Sequence, residues 1–355
     1  MSEIPVHSRP RRLVDWINPT GARKVHSLVD KVYQRKNLEM AWGKVKANRG
    51  SGGVDGQNLE AFAAQLDPQL DRLQSELKDD TYQPQPVRQV QIPKAGKPGE
   101  FRRLGMPTIY DRVCQQAWLN RLEPIFEPVL DEANFGYRRG RSTKDAMRKV
   151  WQEIQRGREW IVDADWKDFF GSVDHAKLLT LVAQRIADGR VLRRIEAMLK
   201  AGSYGQGRRF PSARGTPQGG VVSPLLRNLL LTPFDQEMRR KGYPLTRYAD
   251  DWVVTCESAA GARAAGAAAL RILNMGGAVA SAEDADRAGQ ARVRVSRVQD
   301  QARTRAASVA AGQDPQWCSI GGAVRYPARE IGPAFHGSGM RAHQPTRAAQ
   351  DQGVD

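Results

Sequence analysis

Apolar residues recur at helical spacing through 22–49, where Val25, Leu28, Val29, Val32 and Tyr33 form one stripe and Leu38, Ala41, Trp42 and Val45 continue it. The Gly-rich stretch NRGSGGVDG, residues 48–56, ends that pattern. The same spacing predicts amphipathic helices over 59–77 and over 108–126, the latter with Ile109, Val113, Ala117, Leu119 and Leu122 turned inward. Between them, residues 83–98 alternate and contain Pro and Gly, the pattern of a strand or hairpin with a flexible tip. A short apolar strand, 160–164, runs into acidic residues. Helices are expected at 176–186, 191–201 and 224–238, and a strand pair with a central turn at 246–255. No segment repeats. Short strands with carboxylates at their ends, set among helices, make the chain α+β.

Composition narrows the class. The 355 residues allow two or three subdomains around a sizeable core. No apolar run approaches the roughly 18 residues of a membrane span, so no membrane partner is expected. The opening MSEIPVHSRPRR lacks the apolar centre of a secretory signal. Three widely spaced cysteines argue against a disulfide framework or a Cys-rich zinc site. A cytoplasmic chain is the expectation. The net charge of +16 points to a polyanion, most simply nucleic acid, or to a solvated basic surface. Its distribution is uneven: all 14 lysines lie at or before Lys241, and the first 254 residues carry +13. Residues 255–355 hold 25 Ala, 12 Arg, two Leu and no Lys, and carry +3.

Two acidic clusters carry candidate chemistry: IVDADWKDFFGSVDH at 161–175 and RYADDWVV at 247–254. Asp250 and Asp251 are adjacent in a turn between apolar strands, a costly placement unless a cation neutralises them or the turn is a solvated tip. Hard oxygen ligands without His or Cys favour Mg²⁺. A two-metal site draws carboxylates from separate segments, and Asp165 on the first strand could bridge two ions. RGTPQGGVVSPLLRNLLL, 214–231, is either a phosphate-approaching glycine loop before a helix or an ordinary connection. Lys94, Lys97, Arg102 and Arg103 surround a Gly/Pro-rich turn, a grouping suited to a triphosphate, to a nucleic-acid backbone or to a plain basic hairpin.

Taken in order, these segments resemble the reverse transcriptases encoded by bacterial group II introns, also called maturases. The resemblance runs through KNLEMAWGKVKANRGSGGVDG (36–56), IPK with RRLGMPTIYDRVCQQ (92–116), FGYRRGRSTKDAM (135–147), then D-W-K-D-F-F, G-T-P-Q-G-G and Y-A-D-D. It spans about residues 30 to 274. It implies a right-hand-like fingers and palm with an antiparallel palm sheet. It divides the chain into an N-terminal extension (1–30), an N-terminal block with fingers (31–105), a fingers/palm core (106–274) and a tail (275–355).

The resemblance also implies roles. Asp165, Asp250 and Asp251 would be catalytic and hold two Mg²⁺, with Asp163 on the same strand and Trp166 lending a backbone carbonyl. Lys94 and Arg103, with Arg102 a rival, would grip the dNTP triphosphate. Phe170 would sit under the incoming sugar and exclude a 2′-hydroxyl, although Phe170 or Phe169 is a core residue on the alternative reading. Gln218 and Gly219 would meet the nascent base pair, and Tyr248 the primer terminus. Arg138, Arg139 and Arg141 would contact the template backbone, or form a solvated basic loop. The implied partners are group II intron RNA, a DNA target or primer, and dNTP. The implied activity is RNA-directed DNA polymerisation; the alternatives are an RNA-binding maturase without polymerisation and a nonfunctional remnant.

The resemblance stops near Asn274, and the tail is too poor in large aliphatics to build the helical thumb that the family shows next. Codons exist for 283–301 that, read one nucleotide later, give KTRIVQVRHGFEFLGYKI, close to the family's next block. Residues 331–339 and 350–355 permit thumb-like strings in the same shifted frame. The expectation is therefore an out-of-frame tail, or a disordered Ala/Arg extension, with processive synthesis impaired. The nucleotide sequence tests the frame directly.

Overall fold

The computed structural model describes residues 23–93, 99, 101–165, 171, 173–216, 219–275, 292–298, 318–319 and 325–326. For Arg102, Arg103, Ala164, Asp165, Asn274, Met275, Arg292, Val293, Arg294, Cys318, Ser319, Arg325 and Tyr326 it describes the backbone alone.

The N-terminal helical stripe forms two helices, α1 (Val29–Val32) and α2 (Arg35–Asn48). The break at 33–34 is stabilised by side chains that take up freed carbonyls. Asn37 Nδ2 donates to Val32 O (2.8 Å) and Gln74 Nε2 to Tyr33 O (3.1 Å). The second expected helix also divides, into α3 (Leu59–Ala64) and α4 (Leu66–Lys78). Pro68 cannot donate to Ala64 O, so a continuous helix fails at this point and a new one starts with Pro68 in its first turn.

The hairpin segment resolves into β1 (Val87–Pro93) and β2 (Phe101–Met106), paired antiparallel. Helix α5 (Ile109–Phe126) follows, capped by Thr108, whose side chain accepts from Asp111 N. Helix α6 (Thr143–Gln155) begins with a Ser142/Asp145 capping box. Next come β3 (Trp160–Asp165), α7 (His175–Ala183), α8 (Gly189–Lys200) and a small hairpin of β4 (Ser203–Gly205) and β5 (Arg208–Phe210). The chain continues through α9 (Ser223–Arg240), β6 (Leu245–Tyr248), β7 (Asp251–Cys256) and α10 (Ala259–Met275).

Two four-stranded sheets result. One has the order β2-β1-β4-β5; the other has the order β6-β7-β3-β8, where β8 is Arg292–Arg297. Helices α5 and α9 pack over a shared core with Trp118, Phe126, Leu229, Phe234 and Trp252. Part of the tail after residue 275 is ordered: the alternation in RVRVSR suits a strand, and it pairs antiparallel with β3 over all six residues. Val295 of this strand packs against the core.

Candidate active site

The acidic pair sits on a tight hairpin. Tyr248 pairs with Asp251, so the connection between β6 and β7 is only Ala249–Asp250. Ala249 has φ +60°, the left-handed conformation a two-residue turn needs and a residue with a Cβ resists.

Buried groups hold this turn from behind. The Arg247 guanidinium is fully buried and donates to both carboxylate oxygens of Asp235, at 2.7 and 2.5 Å. It also donates to Asn228 Oδ1 (3.1 Å) and to Ala249 O in the turn itself (2.7 Å). Burial pushes the Asp235 carboxyl up to about 6 against the pull of Arg247.

The 133–136 segment closes the outer side of β6. Phe135 N donates to Arg247 O and Arg247 N to Ala133 O, both at 2.8 Å. Gly136 touches the turn so closely that a Cβ there would lie 2.3 Å from Ala249 N. This is why the FGYRRG block and the Y-A-D-D block, distant in sequence, meet.

On the other side of β7 lies β3. Asp163 pairs with Val253, and the same register carried two residues further sets Asp165 level with Asp251. Strand register thus brings the two acidic clusters to one end of one sheet. The carboxylates present are hard oxygen donors on separate strands, a donor set that fits Mg²⁺. Lys94, Lys97, Trp166, Phe170 and Gln218 lie outside the described residues.

The G-T-P-Q-G-G loop reaches the other sheet. Gly219 has φ +109°, and a Cβ there would stand 1.9 Å from Gly105 O on β2. Val221 N donates to Gln115 Oε1 at 2.7 Å. The loop therefore sits beside the strand that carries Arg102 and Arg103.

The three arginines of the 138–141 loop separate. Arg138 does not fit a template contact: its side chain is 6% exposed, paired with Glu127 at 2.7 Å, and its Nη1 donates to Asp131 O and Asn134 O. It anchors its own loop. Arg139 is largely exposed with an ion pair to Glu123 at 2.8 Å. Arg141 lies over the Phe135 ring, its centre 5.2 Å away, and donates to Glu132 O and Asn134 O.

Tyr137 was not singled out by the sequence reading. It has φ +55°, is 58% exposed, and its ring centre is 6.3 Å from that of Tyr248. Burial pushes its phenol up, and the charges of Asp250 and Asp251 add to this. A strained, exposed aromatic beside the carboxylates is a candidate functional position. The buried Arg247–Asp235 pair was likewise missed; the only signal was an arginine flanked by β-formers in LTRY.

Comparison with known proteins agrees with this geometry. Residues 92–282 match the family model described as reverse transcriptase (RNA-dependent DNA polymerase). The chain is 34% identical over 238 residues to "Protein YkfC" of Escherichia coli (strain K12), covering 65% of this chain and 62% of that protein. It is 34% identical over 199 residues to "Group II intron-encoded protein LtrA" of Lactococcus lactis subsp. cremoris, covering 56% of this chain and 32% of that one. The chain thus spans under two thirds of the length of these curated relatives. Among solved structures, a chain of the "Partial Cas6-RT-Cas1--Cas2 complex" aligns with TM-score 0.44 and 23% identity, covering 66% of this chain and 39% of that one. Among the described residues no helix is long and apolar enough to cross a membrane. With ordered blocks, a sheet that carries the acidic clusters and a matching family model in agreement, the chain belongs to the reverse transcriptase (RNA-dependent DNA polymerase) family.

Proposed function

We propose that this chain is the RNA-directed DNA polymerase of a group II intron, adding dNTPs to a primer 3′-hydroxyl on an RNA template. The observation that carries the reading is the pairing of Asp163 with Val253, a register that, carried two residues on, would set Asp165 level with Asp251, beside Asp250 in a two-residue turn. In this reading Asp165, Asp250 and Asp251 hold two Mg²⁺, with the Trp166 carbonyl as a further ligand. Two Mg²⁺ held by these carboxylates would supply a lowered pKa for the primer hydroxyl and charge neutralisation for the pyrophosphate leaving group.

The chain's own residues position the reactants. Lys94 and Arg103 grip the triphosphate, with Arg102 alongside. Phe170 lies under the sugar and excludes a 2′-hydroxyl. Gln218 and Gly219 meet the nascent base pair, and the close contact of Gly219 with β2 supports that placement. Tyr248 carries the primer terminus. Arg139 and Arg141 face the template backbone, while Arg138 holds their loop. Intron RNA and a DNA target are the partners. The tail 275–355 lacks the family's thumb composition, so extension is weak in this chain and stronger in a frame-restored one.

Primer extension on an RNA template with dNTP and Mg²⁺ tests this. The expected result is Mg²⁺-dependent extension that Asp250→Ala abolishes, with the frame-restored chain more processive. Intron RNA binding with no extension in either chain would overturn polymerisation in favour of the maturase reading.

A further inference from the structure

The sheet β2-β1-β4-β5 carries a transverse row that the catalytic reading does not use. Arg88 pairs with Met106 on one side and with Tyr204 on the other, and Tyr204 pairs with Arg209. Directly paired residues share a sheet face, so Met106, Arg88, Tyr204 and Arg209 cross all four strands in line. Neighbouring strands are about 4.8 Å apart, which sets the two arginines about 10 Å apart with the tyrosine between them.

The row is open to solvent where it matters. Tyr204 is 44% exposed, and every residue of β5 is exposed. Among the described residues, Arg88 Nε is buried without a hydrogen-bond partner, and its Nη2 lies 3.9 Å from the Met106 sulfur. At its other end the row meets the glycine-rich 50–53 loop, where Ser51 Oγ lies 3.0 Å from Met106 Sδ. Arg112, donating to Ser51 O, adds a further cation there. Arg208 and Phe210 alternate with Arg209 and so belong to the opposite face.

An aromatic ring between guanidinium groups suits a single nucleic-acid strand: the ring stacks a base and the cations meet the flanking phosphates. Packing does not explain the row, because an exposed three-residue edge strand contributes little to the core. We propose that this row is the track for single-stranded template RNA ahead of the primer–template duplex. The proposal rests on the polymerase reading for the identity of the strand.

The test compares binding of a blunt RNA–DNA hybrid with one carrying an RNA 5′ overhang of about eight nucleotides, by fluorescence anisotropy on the full chain. The overhang should tighten binding about tenfold in the wild type. Tyr204→Ala and Arg209→Ala should lose that gain and leave blunt-hybrid affinity unchanged. Tyr204→Phe should keep it, and so should Arg208→Ala, which removes the same charge from the other face. Arg209→Ala should also lower the salt slope of overhang binding by about 1. No overhang gain in the wild type overturns the proposal, and so does an equal loss in Arg208→Ala. If the overhang behaves as expected but no primer is ever extended, the track stands and the polymerase reading fails. If primers are extended and the overhang adds nothing, the track alone fails.

Discussion

At the scale of the residue, Arg247 and Asp235 hold the Ala249–Asp250 turn from the buried side. Both side chains are fully buried, and Arg247 spends its remaining donors on Asn228 and Ala249 O. Asp235→Asn keeps the shape and leaves a buried guanidinium unpaired, so urea unfolding should show a loss of about 3–5 kcal/mol. The pH dependence follows from the same pair. Burial raises the folded-state Asp235 carboxyl from 3.8 to about 6, so folding takes up a proton between those values. This group's contribution to stability is therefore fully present below about 4, falls as pH rises through about 6 and is level above it; Asp235→Asn should remove that slope from melts recorded across the window. Tyr137 gives an opposite kind of prediction. Glycine accepts φ +55° without strain, so Tyr137→Gly should leave stability unchanged or raise it by about 1 kcal/mol. Primer extension should fall about tenfold in the same variant, because the ring beside Tyr248 is lost. Reduced stability with unchanged extension would make Tyr137 a packing residue.

At the scale of the element, contacts between backbones decide how the blocks join. Gly136 and Gly219 each sit where a Cβ would collide with main chain, at 2.3 Å from Ala249 N and 1.9 Å from Gly105 O. Main chain cannot step aside as a flexible side chain can. Gly136→Ala should displace the Asp250 turn and cut extension at least a hundredfold, with far smaller loss of helical circular dichroism. The strand β8 matters in another way. Its register sets Arg292 opposite Asp165 and Arg294 opposite Asp163. A cationic residue type paired across from Asp165, one of the proposed metal ligands, would compete with a divalent cation. Arg292→Val with Arg294→Val should therefore lower the Mg²⁺ concentration for half-maximal extension; an unchanged Mg²⁺ dependence would remove β8 from the metal chemistry.

At the scale of the whole molecule, one sheet holds the carboxylates, the other holds the basic strands, and the G-T-P-Q-G-G loop touches the second through Gly219. The +13 of the first 254 residues suits a chain that grips phosphate along its length, so template–primer affinity should fall steeply with salt. Binding measured from low to physiological salt should give a log–log slope of several units, and a flat dependence would mean that the charge is merely a solvated surface.

The amphipathic stripes, the apolar strand ends and the ordered blocks were legible in the chain because they depend on local periodicity and on residue type. Helix α5 lies where its pattern predicts, and the turn between β6 and β7 falls on Asp250. The breaks at 33–34 and 65 were not legible in the hydrophobic stripe, since the stripe continues across both. Nor was the distinction among Arg138, Arg139 and Arg141, three identical side chains of which the first is buried against Glu127, the second exposed and paired with Glu123, and the third laid over an aromatic face. By itself the sequence determined which carboxylates, cations and glycines the protein has, and in what order. Only the tertiary structure decided that β3 pairs with β7 so that Asp163 faces Val253, that Arg247 is buried, and that Arg88, Tyr204 and Arg209 fall in one row. Strand register and burial are set by contacts between residues far apart in the chain, and local pattern carries no record of them.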